Sequence, residues 1–258
     1  MHNPIFLFPF LPGGSFFQPR SFDMSAICRR AFSCSRPHFP KERPHFDLSL
    51  YLVANRPSFQ DEGVFFSRIL DSVKGGVTCV QLRDHQSDFD VVLKTAASLK
   101  RILEGTSFFI NTLKPIEVAQ AIGADGVYLE EKFPYSEARK RLGEKEIIGI
   151  PVKTMDDVVA ATQSNEIDYI SVKISASNRT CPRNDQLWDM TGLRHIRAIS
   201  PHRIVAIGGM HLERAESVYK ELRFDDGIAM AGGLMDVVDP LLTAKKIRAI
   251  QSKLRDAL

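Results

Sequence analysis

The stretch GGVTCVQLRDH, residues 75–85, opens on a glycine pair, runs through Val77, Val80 and Leu82, and closes on Gln81, Arg83, Asp84 and His85. A near-continuous apolar run of this kind suits a strand of a parallel sheet, which is buried on both faces. Its polar end then needs a purpose, because it falls where the chain must turn into the next helix.

Working outward, seven more β-branched runs appear, at 49–55, 107–111, 126–130, 147–152, 168–174, 203–208 and 227–231, with 77–83 as the second of eight. Helical periods fill the intervals near 60–74, 87–104, 114–123, 135–142, 155–164, 191–199, 211–222 and 239–256. Strict alternation predicts parallel strands joined by right-handed crossovers. Eight such units in about 210 residues close a compact TIM (β/α)8 barrel. An open doubly wound sheet would carry a glycine-rich turn after its first strand, whereas NRPSFQDEG (55–63) follows here.

In a barrel of this type the C-terminal strand ends form the active face. Polar residues recur at those ends: Asn55 and Arg56, Gln81 and Arg83, Asn111, Glu130 and Glu131, Lys153, then Lys173 and Ser175. Gln81 and Arg83 are one pleat apart and share a face, while the adjacent Glu130 and Glu131 point to opposite sides, so at most one looks into the mouth. The seventh and eighth strands end on VAIGGM (205–210) and AMAGGLMD (229–236). One glycine pair simply makes a tight turn, but two pairs after strands seven and eight stand where barrels bind phosphate, with backbone N–H groups free to come close.

Composition narrows the function classes. The chain has 258 residues, 44% of them apolar and 25% charged, an ordinary globular balance, and no apolar run approaches the roughly 18 residues of a membrane span. Of the net charge of +3, residues 1–46 hold more than the whole, with six basic side chains against two acids. The remainder is close to neutral, which argues against nucleic acid as a partner. Cys28, Cys34, Cys79 and Cys181 show no metal-type or paired spacing and suit reduced thiols in the cytoplasm. Residues 1–46 are crowded with Pro and Phe and show no helical or strand period. Their apolar piece IFLFPFL (5–11) is short, holds a proline and has no basic residue ahead of it, unlike a secretory signal. The expected organisation is therefore a disordered or mis-assigned extension over 1–46, with Met24 as an alternative start, and a barrel over 47–258.

Taken in order, YLVANR (51–56), GGVTCVQLRDH (75–85), FIN (109–111), IGADGVYL (122–129), IIGIPVKT (147–154), VAIGGM (205–210) and DGIAMAGGL (226–234) resemble the pattern of thiamine-phosphate synthase and its relative, the TenI-type thiazole tautomerase. The resemblance runs over about residues 48–256. It implies an enzyme, a transferase of thiamine biosynthesis that joins hydroxymethylpyrimidine diphosphate to a thiazole phosphate and releases diphosphate. It places the diphosphate on Gln81, Arg83, His85 and Asn111, and on Arg179 in the loop SASNRTCPR (175–183). The thiazole phosphate falls on Thr180, Gly208, Gly209, Ala231 and Gly232. Mg2+ is the implied cofactor. No strong protein nucleophile is required, since the pyrimidine ionises first and the thiazole nitrogen captures the cation, so no catalytic side chain is assigned.

The departures are concentrated at the diphosphate end. A lysine of the family becomes His85, one magnesium aspartate becomes Thr112, the other falls on Phe133, a serine falls on Pro151, and a lysine is replaced by Arg179 or Arg183. The metal site is thus degenerate, with Glu131 as the carboxylate left to serve it. Two alternatives follow: a tautomerase using His85 or Cys181 as acid or base, and a catalytically weakened barrel that binds a phosphorylated ligand. All three readings share small phosphorylated ligands, without nucleic acid or membrane, and leave a homo-oligomer open.

Overall fold

A computed structural model of the chain describes residues 46–130, 134–175 and 187–256. Eight strands, β1 (Leu50–Asn55), β2 (Cys79–Asp84), β3 (Ser107–Thr112), β4 (Gly126–Tyr128), β5 (Ile147–Val152), β6 (Tyr169–Lys173), β7 (Arg203–Ile207) and β8 (Gly227–Met230), form a closed barrel in chain order. Every neighbouring pair is parallel, including β8 with β1. Around them lie α1 (Glu62–Lys74), α2 (Phe89–Ile102), α3 (Pro115–Ile122), α4 (Tyr135–Leu142), α5 (Met155–Thr162), α6 (Met190–Ile199), α7 (Leu212–Tyr219), α8 (Gly232–Met235) and α9 (Pro240–Arg255). The barrel expected from alternation is the one observed.

Two features lie outside that expectation. A single 3-10 turn, Arg56–Ser58, follows β1, and the four-residue α8 follows β8; each is too short to show a helical period. Strand β2 begins at Cys79 rather than Val77 because Gly75 and Gly76 form a turn packed under α9, Gly76 with φ +110°. Strand β7 stops at Ile207 because Gly208, at φ +112°, leaves the extended region.

Side-chain alternation divides the apolar residues in two. One face of each strand, such as Leu50, Leu52, Val80 and Leu82, packs on the helices. The other fills the barrel with Leu48, Tyr51, Val53, Cys79, Phe109, Ile147, Tyr169, Val205 and Ala229. Phe46 closes the base, its ring 4.4 Å beneath the Arg203 guanidinium and its carbonyl accepting from Arg203 Nη1 at 2.7 Å. A repeat runs around the N-terminal rim. Just ahead of β2, β4, β6 and β8, a side chain accepts a backbone N–H at the start of the preceding strand: Thr78 from Leu50 at 3.2 Å, Asp125 from Phe108 at 2.8 Å, Asp168 from Ile148 at 2.7 Å, and Asp226 from Ile204 at 2.7 Å. The three aspartates also meet a cation from the second helix back along the chain, Lys100, Arg139 and Arg197 respectively. This fastening recurs at every second strand of the rim.

Candidate active site

At the opposite rim the barrel opens into a cavity of about 580 Å³ to which every strand contributes. Its floor is aromatic. Tyr169 lies nearly parallel to Phe109, with ring centroids 5.9 Å apart, and meets Tyr51 edge-on at 6.1 Å. Tyr51 has one hydroxyl proton and donates it to Gln81 Oε1 at 2.7 Å, so its 2.9 Å contact with Tyr169 is a bond donated by Tyr169. This relay fixes the Gln81 carbonyl oxygen downward and leaves its NH2 as the donor end. Burial pushes the pKa values of both tyrosines well up, which keeps their protons in place. Beside them, Tyr128 and the buried Ser171 are joined at 2.7 Å.

The wall above the floor carries the charged groups. Register sets Asn55, Arg83 and Asn111 side by side on β1, β2 and β3. Asp84, one residue on, faces the helices and accepts from the N–H groups of Gln86 and Ser87, both at 3.0 Å. That Asx turn ends the strand and brings His85 back across the mouth. His85 Nε2 lies 2.8 Å from Asn111 Oδ1, which can only accept, so Nε2 carries the proton. Glu130, just beyond β4, sets Oε1 at 3.6 Å from His85 Nε2 and 3.8 Å from Arg83 Nη2. Lys153 and Lys173 complete the lining from β5 and β6. Four of the residues expected to hold the diphosphate, Gln81, Arg83, His85 and Asn111, therefore meet on one wall. Arg179, the fifth, lies outside the described residues, as do Thr180, Glu131, Phe133, Cys181 and Arg183.

Of the residues expected to hold the phosphate, Ala231 lines the cavity. Gly208 and Gly232 directly follow the lining residues Ile207 and Ala231 in the chain. Gly208 and Gly209 have φ +112° and +51°, and a Cβ on Gly208 would come within 2.5 Å of the Ile174 carbonyl oxygen. A side chain is excluded there on both counts. Arg214 of α7 ties the loop down, donating to the carbonyls of Gly208, at 2.9 Å, and Ser175.

Thr112 pairs with Asp84 in register, so it shares the helix-facing side rather than the cavity. Among the described residues no group of three His, Cys, Asp or Glu side chains can hold a metal ion. One carboxylate, Glu130, and one amide oxygen, Asn111 Oδ1, do stand on the same wall. Two such oxygens do not make a metal site by themselves; Mg2+, which favours oxygen and keeps several waters, would take most of its ligands there from phosphate oxygens and water. Sequence reading missed Tyr51, Tyr128, Tyr169 and Ser171. The signal was available, since counting back by twos from Asn55 and Lys173 reaches Tyr51, Ser171 and Tyr169 on the interior face.

With the geometry in view, comparison with known proteins is specific. The family described as Thiamine monophosphate synthase matches residues 50–233. The thiamine-phosphate synthase of Albidiferax ferrireducens is 35% identical over 209 residues, covering 79% of this chain and 91% of that protein. A thiamine-phosphate synthase of Campylobacter jejuni is 30% identical over 207 residues, covering 78% and 93%. Among solved structures, the thiamine phosphate pyrophosphorylase from Pyrococcus furiosus superposes with a TM-score of 0.67 at 25% identity, over 80% of this chain and 96% of that one. A 3-hexulose-6-phosphate synthase, at 14% identity and a TM-score of 0.59, shares the fold alone. Matched over most of its barrel in sequence and in backbone, this chain belongs to the thiamine monophosphate synthase family.

Proposed function

We propose that this chain is a transferase that joins hydroxymethylpyrimidine diphosphate to a thiazole phosphate, forming thiamine phosphate and releasing diphosphate. The observation that carries the reading is the wall of Gln81, Arg83, His85 and Asn111 at one side of an aromatic-floored cavity, in a chain of this family. The comparisons favour neither a tautomerase nor a barrel that only binds ligand.

The chemistry follows from where charge develops. As the pyrimidine methylene–oxygen bond breaks, the electron pair leaves with the diphosphate and its bridging oxygen gains charge. Donors held in place before the reaction stabilise that charge more than they stabilise the substrate. Arg83 offers a planar fork suited to phosphate oxygens. The Gln81 amide is already turned by the tyrosine relay, so little reorganisation accompanies binding. The aromatic side chains that line the cavity, Tyr51 and Tyr128, are available to the pyrimidine and to the cation it becomes, with Phe109 and Tyr169 packed beneath them. The thiazole nitrogen then donates its lone pair to that methylene, so no side-chain nucleophile is consumed. When bound, Mg2+ supplies further charge neutralisation on the diphosphate, with Glu130 or Glu131 and Asn111 as the chain's own oxygen donors. The thiazole phosphate is assigned to Gly208, Gly209, Ala231, Gly232 and Thr180, and Arg179 is assigned to the diphosphate.

The same proposal places the protein in the cytoplasm, working on small phosphorylated substrates. No helix of the described residues is long and apolar enough to cross a membrane, and Cys79 is a free thiol inside the barrel. The test incubates the chain with both substrates and Mg2+ and follows thiamine phosphate by chromatography. Product is expected, and Arg83→Ala should lower its rate by about a hundredfold, the scale of one charge-stabilising donor. Absence of product from the unaltered chain, or an undiminished rate in Arg83→Ala, overturns the reading.

A further inference from the structure

The thiazole phosphate of the proposed reaction carries about two negative charges near neutral pH, yet the groups assigned to it, Gly208, Gly209, Ala231, Gly232 and Thr180, are all uncharged. Backbone amides supply partial charges only. Arg214 is fastened to this loop, but it donates to the carbonyls of Gly208 and Ser175 and is not among the residues lining the cavity. Lys173 is better placed. It ends β6 in register with Ile207, the residue before Gly208, and its Cγ lies 3.4 Å from where a Gly208 Cβ would stand. The bare Gly208 thus leaves room for the lysine stem. Lys173 lines the cavity and is exposed, and its ammonium group makes no hydrogen bond or ion pair with the described residues. Arg83, on β2, is four strands from β6 in the closed ring of eight, so the two cations face each other across the mouth.

We propose that Lys173 is the countercharge of the thiazole phosphate: its ammonium group donates to a phosphate oxygen held over the Gly208–Gly209 turn, while Arg83 keeps the diphosphate on the opposite side. This rests on the transferase reading of the cavity and gives that phosphate a residue the resemblance did not assign. Two anions must share about 580 Å³, where like charges repel strongly. A cation on each of two facing strands draws them apart, the phosphate to one side and the diphosphate to the other. An ammonium is a compact point charge with three donors on a flexible stem, so it can follow a phosphate oxygen without a fixed fork. Its charge-assisted bond is about twice as strong as one from a neutral amide.

The experiment titrates thiazole phosphate and, separately, inorganic diphosphate into the full chain, Lys173→Met and Lys173→Arg by calorimetry, all with Mg2+ present. Met keeps the unbranched stem and removes the charge, and a thermal melt confirms that each variant is folded. Lys173→Met should bind thiazole phosphate about tenfold or more weakly, the scale of one hydrogen bond to a charged group. Lys173→Arg should keep most of the affinity. Diphosphate affinity should change by less than about threefold in either variant, since screening weakens a cation across the mouth. In turnover, Lys173→Met should raise KM for thiazole phosphate and leave KM for the pyrimidine diphosphate nearly unchanged. An unaltered affinity for thiazole phosphate in Lys173→Met, or an equal loss for both ligands, overturns the role of Lys173 and leaves the transferase reading standing. Failure of the unaltered chain to bind thiazole phosphate, alone or with diphosphate present, overturns both together.

Discussion

Gly149→Ala is the most informative single change in the barrel. Gly149 sits at the middle of β5, paired in register with Tyr128 on one side and Tyr169 on the other. A methyl group there would overlap Cζ, Cε1 and Oη of Tyr169. Carbon atoms in contact sit about 3.5–4 Å apart, so the ring must retreat by more than about 1 Å. It has nowhere to go. Tyr169 is fully buried, stacked on Phe109 and bounded by Tyr51, Tyr128 and Phe46, with centroids 6.1, 6.4 and 6.4 Å away. Overpacking of this kind costs about 1–3 kcal/mol, and losing the buried bond from Tyr169 to Tyr51 adds about 1 kcal/mol. The sum is roughly 3 kcal/mol, which in a domain of about 200 residues lowers Tm by about 6–12 °C. Transfer activity should fall as well, because the relay that orients Gln81 is broken at its first link. The assay pairs a thermal melt with the thiamine phosphate measurement, using Tyr169→Phe as the control that removes the hydroxyl and keeps the ring; it should lose only about 1 kcal/mol. A Gly149→Ala melt within about 2 °C of the unaltered chain would refute the claim that the floor is close-packed around that glycine.

Two further outcomes test the rim and a helix start. Asp226 accepts from Arg197 Nη1 at 2.8 and 3.0 Å, from Ile204 N at 2.7 Å and from Arg223 N at 2.8 Å. Asp226→Ala leaves a buried guanidinium without its carboxylate and should cost about 3–5 kcal/mol in denaturant unfolding; a loss below about 1 kcal/mol would show the rim fastening to be incidental. Asp157 closes a capping box with Thr154 at the start of α5. Burial pushes its carboxyl up, but the N–H groups of Lys153 and Thr154 and the Thr154 hydroxyl more than offset that and hold it below its usual value. Because the folded-state value is depressed, the stabilisation is complete above the ordinary carboxylate range and is lost as pH falls through the folded value. Asp157→Ala should therefore cost about 1 kcal/mol at neutral pH, with the gap to the unaltered chain closing in acid. A gap independent of pH would refute the charge-based account.

How much of this was legible from residues alone depends on range. Strand β5 (Ile147–Val152) and helix α4 (Tyr135–Leu142) coincide with the runs read from sequence, because alternation and helical period are local signals. Gln81, Arg83 and Asn111 could be placed on one wall because parity along a strand and neighbouring strand order are enough. Tyr51, Tyr169 and Ser171 were passed over. They sit one or two pleats below the rim in apolar company, and a buried tyrosine reads as packing until its hydroxyl partner on another strand is known. The Asp84 turn was equally hidden, since the acid looked like one more charge at the mouth until the register turned it toward the helices.

By itself the sequence determined eight alternating units, the closed parallel barrel they imply, the polar strand ends and the two glycine turns, together with the resemblance that named a family. These rest on periodicity, residue chemistry and spacing along the chain. Only the tertiary structure decided which polar groups meet. Gln81 is aimed by Tyr51, whose own proton is directed by Tyr169 from 118 residues away. Glu130 stands between Arg83 and His85 although β3 separates its strand from theirs in the sheet. Barrel closure sets those distances, and no local pattern in the chain encodes them.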